Sequence, residues 1–170
     1  MLSVLQILTV LLVAVALASS LAHALELPGK LRLTKEAYFA MQPIYYPGFT
    51  IAGISEPLGI LATIFLVCLT PLGSADFWLT LVALLGLLGV QAIYWLWTHP
   101  VNQFWVEGAP LNRMSTGFFS FGAQRSRLEN ATHPPEWMVL RDRWEYSHVA
   151  RAGCALVSFM ALVIALSCRP

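Results

Sequence analysis

The chain has 170 residues, 58% of them hydrophobic and only 11% charged, with a formal net charge of +1. That charged fraction is less than half of the roughly 25% usual in soluble domains, and the mean hydropathy is +0.68, so an ordinary water-soluble fold is excluded and a bilayer is the fitting solvent. No basic run or stripe is present, which excludes nucleic acid as a partner.

The first apolar stretch runs from Met1 to about Ala22, with no charge before Glu26. It is close to the roughly 20 residues that cross the hydrocarbon core at about 1.5 Å each. Ala22-His23-Ala24 fits a small-x-small cleavage site, but the charged start of a signal peptide is missing, so the span is expected to be retained. In the connection 23–53, Thr34 is positioned to cap a short helix over Lys35 to Met41, ended by Gln42-Pro43. Tyr45-Tyr46-Pro47-Gly48 then reads as a turn at the membrane interface. A second span covers about 54–70 and a third 77–97. Only Gly73 to Asp76 separate them, so they form an antiparallel hairpin. The connection 98–148 contains Gly108, Pro110, Gly117 and Gly122 and reads as a folded loop or a partly mobile cap. Its Pro134-Pro135-Glu136 suits a helix start, so the last helix is expected to begin near Pro135 and to cross as span four, 149–168. Asn130-Ala131-Thr132 is a formal glycosylation sequon and is expected to be unused. The fold class is all-α: a single integral membrane domain, a four-helix bundle of antiparallel up-down topology.

Nine of the ten Lys and Arg residues fall in or beside the two long connections: Lys30, Arg32 and Lys35 in the first, and Arg113, Arg125, Arg127, Arg141, Arg143 and Arg151 in or just after the second. Arg169 alone lies on the other side. The charge bias makes both connections cytoplasmic and sends both termini outside. Trp78 marks one interface, and Trp95, Trp97 and Trp105 the other. Cys68, Cys154 and Cys168 lack CxxC spacing and read as small buried hydrophobes.

Polar residues that are costly near lipid gather at one end of all four spans. His23 and Glu26 close span one, and Glu56 opens span two. His99, Asn102 and Gln103 follow span three. Trp144, Glu145, His148 and Arg151 open span four. Alternating helix directions bring these groups to one mouth of the bundle, and ionisable groups at such depth usually face the interior or a wet cavity. Gln91, Trp95, Thr98 and Asn102 share one helical face, as do Arg141, Trp144, His148 and Arg151. Each residue also has a structural reading. Arg151 can snorkel or pair with Glu145, Glu56 suits a helix N-terminus, His99 before Pro100 suits a helix stop, and Glu26 can pair with Lys30 or Arg32. His133 reads as solvated. Gly86 and Gly89 permit close helix approach near mid-span Gln91.

Glu145-x-x-His148 has the spacing of carboxylate-bridged di-iron bundles, and His23-x-x-Glu26 is its reverse. With Glu56 and His99 the donors would suit iron or manganese. The bundle motif needs two Glu-x-x-His pairs and two further glutamates, which this chain lacks, so no cofactor is expected. No Walker loop, GxSxG elbow or HExxH is present.

His23 to Lys30 (HALELPGK), His99-Pro100-Val101-Asn102 and Trp144-x-x-x-His148-x-x-Arg151 resemble the anthrone oxygenase-like family of small four-span membrane proteins, over nearly the whole chain. Most bacterial members have no known function, and fungal members often carry Asn where this chain has His148. The resemblance implies a membrane four-helix bundle, here in a bacterial inner membrane. For some members it implies oxidation of an anthrone to an anthraquinone by dioxygen without an added cofactor, with Asn102, Trp144, His148 and Arg151 as the matching positions. In such a reaction His148 or His99 would be the base and Arg151 or Asn102 would stabilise the enolate. Trp95, Trp105 and Trp144 would sandwich the flat substrate, with Glu145, His23, Glu26 and Glu56 completing its surroundings.

Two function classes therefore stand side by side. One is an oxidoreductase or oxygenase acting on a hydrophobic aromatic or quinone-like compound. The other is a non-catalytic membrane protein binding a lipid, a quinone or a partner subunit. A carrier would need polarity along the full bilayer depth, which only Gln91 approaches. The expected partners are the lipid bilayer and a hydrophobic small molecule, and oligomerisation is left open.

Overall fold

The computed structural model describes residues 2–105 and 136–167. Among these residues every regular element is helical: α1 (Leu2–Lys30), α2 (Lys35–Met41), a 3-10 turn (Gln42–Tyr45), α3 (Gly48–Gly53), α4 (Ser55–Leu69), α5 (Ala75–Ile93), a π-helical stretch (Tyr94–Thr98), α6 (His99–Trp105) and α7 (Trp137–Ser167). Among the described residues four helical segments are long and apolar enough to cross a membrane: Leu2–Lys30, Gly48–Leu69, Ala75–Asn102 and Trp137–Ser167. At most 39% of the apolar window of any of them is buried inside the protein. Leucines, valines and aromatics such as Leu11, Leu61, Phe65 and Leu85 cover the outer faces, as a chain solvated by lipid requires. Cys68 is exposed on such a face, against the expectation of burial; lipid is as apolar as a core, so a small hydrophobe is stable on either side. Cys168, His133, the sequon and the arginines at 113, 125 and 127 lie outside the described residues.

Helix α7 packs along both α1 and α5, and α4 packs against α1 and α5 in turn. At the α5–α7 contact the backbones come close. A Cβ on Gly86 would lie 2.2 Å from Ser158 Oγ and 2.9 Å from the Cys154 carbonyl oxygen, so only glycine fits. Ser158 Oγ donates across this seam to the Ala83 carbonyl at 2.9 Å. Around it, Val13, Leu66, Ala83, Leu87, Ala161 and Leu162 form one core cluster.

Two helix ends differ from expectation, both because proline is accommodated. Helix α1 continues through Pro28 to Lys30 instead of ending near Ala22. The reason lies in its last turns, where His23, Glu26 and Lys30 share one face and are tied together. The third span does not stop at His99-Pro100. The His99 N–H bonds to the Tyr94 carbonyl, five residues back, a π-type turn. Pro100 has no N–H to offer the Leu96 carbonyl, and Arg143 Nη2 donates to that oxygen at 2.8 Å instead. Helix α2 begins and ends where expected, with Thr34 Oγ1 accepting from the Ala37 N–H.

Candidate functional site

The polar ends of the long helices enclose a cavity of about 370 Å³. Its wall is largely aromatic: Tyr94 and Trp95 from the π-helical stretch, Trp144 from α7, and Tyr45, Tyr46 and Phe49 from the segment between α2 and α4. The extra residue of the π turn keeps Gln91, Tyr94, Trp95 and Thr98 on the cavity side together with Asn102. The polar wall is His23 from α1, Glu56 from the first turn of α4, Gln91, and His148 and Arg151 from α7.

Two ionic networks hold this chamber. In the first, Arg151 Nη2 pairs with Glu56 Oε1, both side chains being buried. Gln91 Nε2 donates to Glu56 Oε2 at 2.8 Å, and Trp95 Nε1 donates to Gln91 Oε1 at 3.1 Å. The Arg151 guanidinium also lies 5.2 Å from the Tyr94 ring centroid, a favourable cation–π arrangement. In the second network Lys30, 2% exposed, is surrounded by three acceptors: Glu26 Oε2 at 3.0 Å, Glu145 Oε2 at 3.3 Å and His23 Nδ1 at 3.2 Å. An ammonium has three donors, so its hydrogen-bonding capacity is matched. Tyr38 Oη donates to Glu145 Oε1 at 2.8 Å and Tyr45 Oη to Glu26 Oε2 at 2.6 Å. Burial, then the neighbouring carboxylate, pushes both phenols well above their ordinary pKa, so they remain hydrogen-bond donors.

The two cavity histidines touch, their ring centroids 4.2 Å apart. His148 Nδ1 lies 2.9 Å from the Trp144 carbonyl oxygen, and the Trp144 ring packs tilted against His148, their centroids 4.2 Å apart. Trp144 is itself fixed by donating Nε1–H to Asn102 Oδ1 at 2.6 Å.

His23, Glu56, Trp95, Asn102, Trp144, His148 and Arg151, all expected at the site from sequence, do line one cavity. Others stand elsewhere. His99 is not among the lining residues; it packs against Tyr94 and Trp95. Glu26 and Glu145 belong to the Lys30 network, with Glu145 fully buried. Trp105 is buried against Tyr38, Phe39 and Phe104, so it is neither a cavity wall nor part of an interfacial belt. Arg151 pairs with Glu56 and not with Glu145, which Lys30 has already engaged. The expected pairing of Glu26 with Lys30 is present, but sequence reasoning missed the contacts of Lys30 with His23 and Glu145 and the wall residues Tyr45, Tyr46 and Phe49. The rhythm His23, Glu26, Lys30 (three, then four) follows one helical face, but the first span was expected to end near Ala22, short of it.

The candidate metal donors His23, Glu26, Glu56, His99, Glu145 and His148 do not converge as a set. Among the described residues no three His, Cys, Asp or Glu side chains form a group able to hold an ion, because each carboxylate is turned toward a cation: Glu56 to Arg151, and Glu26 and Glu145 to Lys30. Compared with known proteins, the chain matches no family model, no curated protein and no solved structure.

Proposed function

We propose that this chain is an antiparallel four-helix membrane protein whose cavity binds a flat, hydrophobic, aromatic or quinone-like molecule and oxidises it with dioxygen. The observation that carries the reading is an imidazole, His148, placed in an aromatic-walled chamber beside the Arg151 guanidinium. The motif resemblance through Asn102, Trp144, His148 and Arg151 points the same way.

The chemistry follows from an anthrone-like carbon acid. The backbone carbonyl of Trp144 can only accept, so His148 carries its proton on Nδ1 and presents Nε2 as a base. Nε2 takes the acidic proton, and the delocalised anion is favoured by the nearby guanidinium. The anion passes its electrons to dioxygen, and a carbon–oxygen bond forms. The imidazolium returns its proton to give an organic hydroperoxide. Loss of the second methylene proton breaks the oxygen–oxygen bond and releases water. One oxygen atom ends in the new carbonyl and one in water, so the methylene is oxidised by four electrons and dioxygen is reduced by four. Asn102 acts through Trp144, holding the ring that packs against His148.

The test is oxygen uptake and anthraquinone formation from anthrone by the purified protein in mild detergent. Wild type is expected to be active, with His148→Gln lowering turnover at least about a hundredfold, the usual weight of a general base. Equal rates for the two proteins would remove the catalytic reading. The alternative, non-catalytic binding, is favoured by one observation: the site's carboxylates and cations are already paired with one another. Tight binding without turnover would establish it.

The proposal extends to topology. The positive connections face the cytoplasm of a bacterial inner membrane and both termini face away. An impermeant thiol reagent applied outside intact cells should label Ser74→Cys and spare Lys35→Cys; the reverse pattern would invert the orientation.

A further inference from the structure

The two cavity histidines are held in opposite tautomers, His23 by a lysine outside the cavity and His148 by the backbone carbonyl of a wall residue. Lys30 Nζ is 3.2 Å from His23 Nδ1. An ammonium only donates, so His23 Nδ1 accepts and its single proton sits on Nε2. Glu26 Oε2 is 4.0 Å from the same nitrogen, too far to draw a proton onto Nδ1. His148 is the mirror case: its Nδ1 faces the Trp144 carbonyl at 2.9 Å, which only accepts, so the proton sits on Nδ1 and Nε2 carries a lone pair. Neither Nε2 has a hydrogen-bond partner among the described residues. Both rings line the same cavity and are clamped by aromatic neighbours, His23 by Tyr45 and Phe49 and His148 by Trp144.

We infer that the His23–His148 pair is a two-point site for a hydroxyl on a flat aromatic ligand, a phenol or the enol tautomer of a ring ketone, and that Lys30 is the positioning residue that sets its polarity. The ligand oxygen accepts from His23 Nε2–H and its O–H donates to His148 Nε2. An ether or ketone satisfies only His23 and leaves the His148 lone pair facing an apolar group; a bare hydrocarbon satisfies neither. Leaving a buried polar atom unpaired is what discriminates between such analogues. The inference rests on the reading of the cavity as a ligand site and sharpens it: for a ligand bound as its enol, the proton that His148 Nε2 takes is the O–H proton, which leaves the same anion as loss of the C–H proton from the ketone, and His23 donates to the oxygen that bears the charge. Lys30 never meets the ligand. Its role is to keep His23 a donor on the cavity side, and its own charge is held by Glu26 and Glu145.

Three probes of one ring system separate these contacts: 1-naphthol, 1-methoxynaphthalene and naphthalene, titrated into the full chain in mild detergent. Wild type should bind 1-naphthol at least about tenfold more tightly than 1-methoxynaphthalene, one well-made hydrogen bond, and naphthalene more weakly still. His148→Phe should abolish the preference for naphthol over the ether. Lys30→Met should weaken both oxygenated probes relative to naphthalene, and Lys30→Arg, which keeps a donor, should restore them. With only four histidines in the chain, nitrogen-15 histidine spectra of wild type read the tautomers directly and need no variant. His23 should appear as Nε2–H and His148 as Nδ1–H, with Lys30→Met releasing His23 to a mixture. Equal binding of all three probes, or His23 found as Nδ1–H in wild type, overturns the inference while leaving the cavity a ligand site. Failure of every probe to bind overturns the ligand site itself, and with it this inference.

Discussion

The same long helices are held together by different physics at their two ends. At the apolar end, Val13, Leu66, Leu87 and Leu162 pack around small residues, and the α5–α7 seam closes on Gly86 and Ser158. At the other end the helices stand apart around a cavity, and buried ion pairs replace shape: Arg151 with Glu56 between α7 and α4, and Lys30 with Glu145 between α1 and α7. The contrast has a cause. Inside a bilayer, burying a leucine against protein gains little over leaving it against lipid, so association depends on close backbone approach and on polar contacts. Where a chamber must stay open, close approach is unavailable, and long charged side chains act as spacers of fixed length. The mouth thus trades packing for electrostatics, and the two ends should respond differently to substitution.

The largest effect is expected at the mouth. Arg151→Leu leaves Glu56 buried with Gln91 as its remaining neighbour. Removing one partner of a buried pair typically costs about 3–5 kcal/mol, because the other charge is stranded. Thermal unfolding in mild detergent should show this loss, and the double variant Arg151→Leu with Glu56→Gln should recover most of it, since no charge is then left unpaired. A single variant as stable as wild type would mean that the mouth is not held by this pair. The double variant should recover the fold without recovering the ligand binding proposed for the cavity, which separates the structural use of Arg151 from its place on the cavity wall.

The ends were unequally legible in the sequence. The four apolar stretches, the cap at Thr34 and the convergence of polar residues followed from composition and helical spacing, because hydropathy and periodicity are local properties. Of the ionic partners only Glu26 with Lys30, four residues apart, followed. Glu145 is one turn from Arg141 and His148 in sequence, yet its cation is Lys30, more than a hundred residues away. Trp105 looked like a cavity wall because it follows span three, but the π turn at Tyr94–Thr98 carries α6 onward and Trp105 packs against Tyr38 and Phe39. The wall residues Tyr45 and Tyr46 were read as part of a turn and Phe49 was not singled out, since nothing local shows that the connection folds back over the chamber. Proline misled at Pro100, where the π turn and the Arg143 contact to the Leu96 carbonyl overrode its usual role as a helix stop.

At the apolar end the effects should be smaller and should depend on distance alone. Gly86→Val places methyl groups against the Cys154 backbone carbonyl, where even a Cβ would sit at 2.9 Å, and overpacking of this kind costs about 1–3 kcal/mol. Adding Ser158→Ala should not rescue it, because the backbone contact remains. Gly59 on α4 is the control and the smallest prediction. A Cβ there would meet Val13 Cγ2 at 3.6 Å, Leu12 Cβ at 3.8 Å and Leu87 Cδ1 at 4.0 Å, all ordinary contacts. Gly59→Ala therefore adds packing and loses glycine's helix penalty of up to about 1 kcal/mol. It should leave thermal stability unchanged or raise it slightly. A destabilised Gly59→Ala beside a tolerated Gly86→Val would mean that α4 and not α7 makes the close approach, and the assignment of the shape-held seam would have to move to the α1–α4 contact.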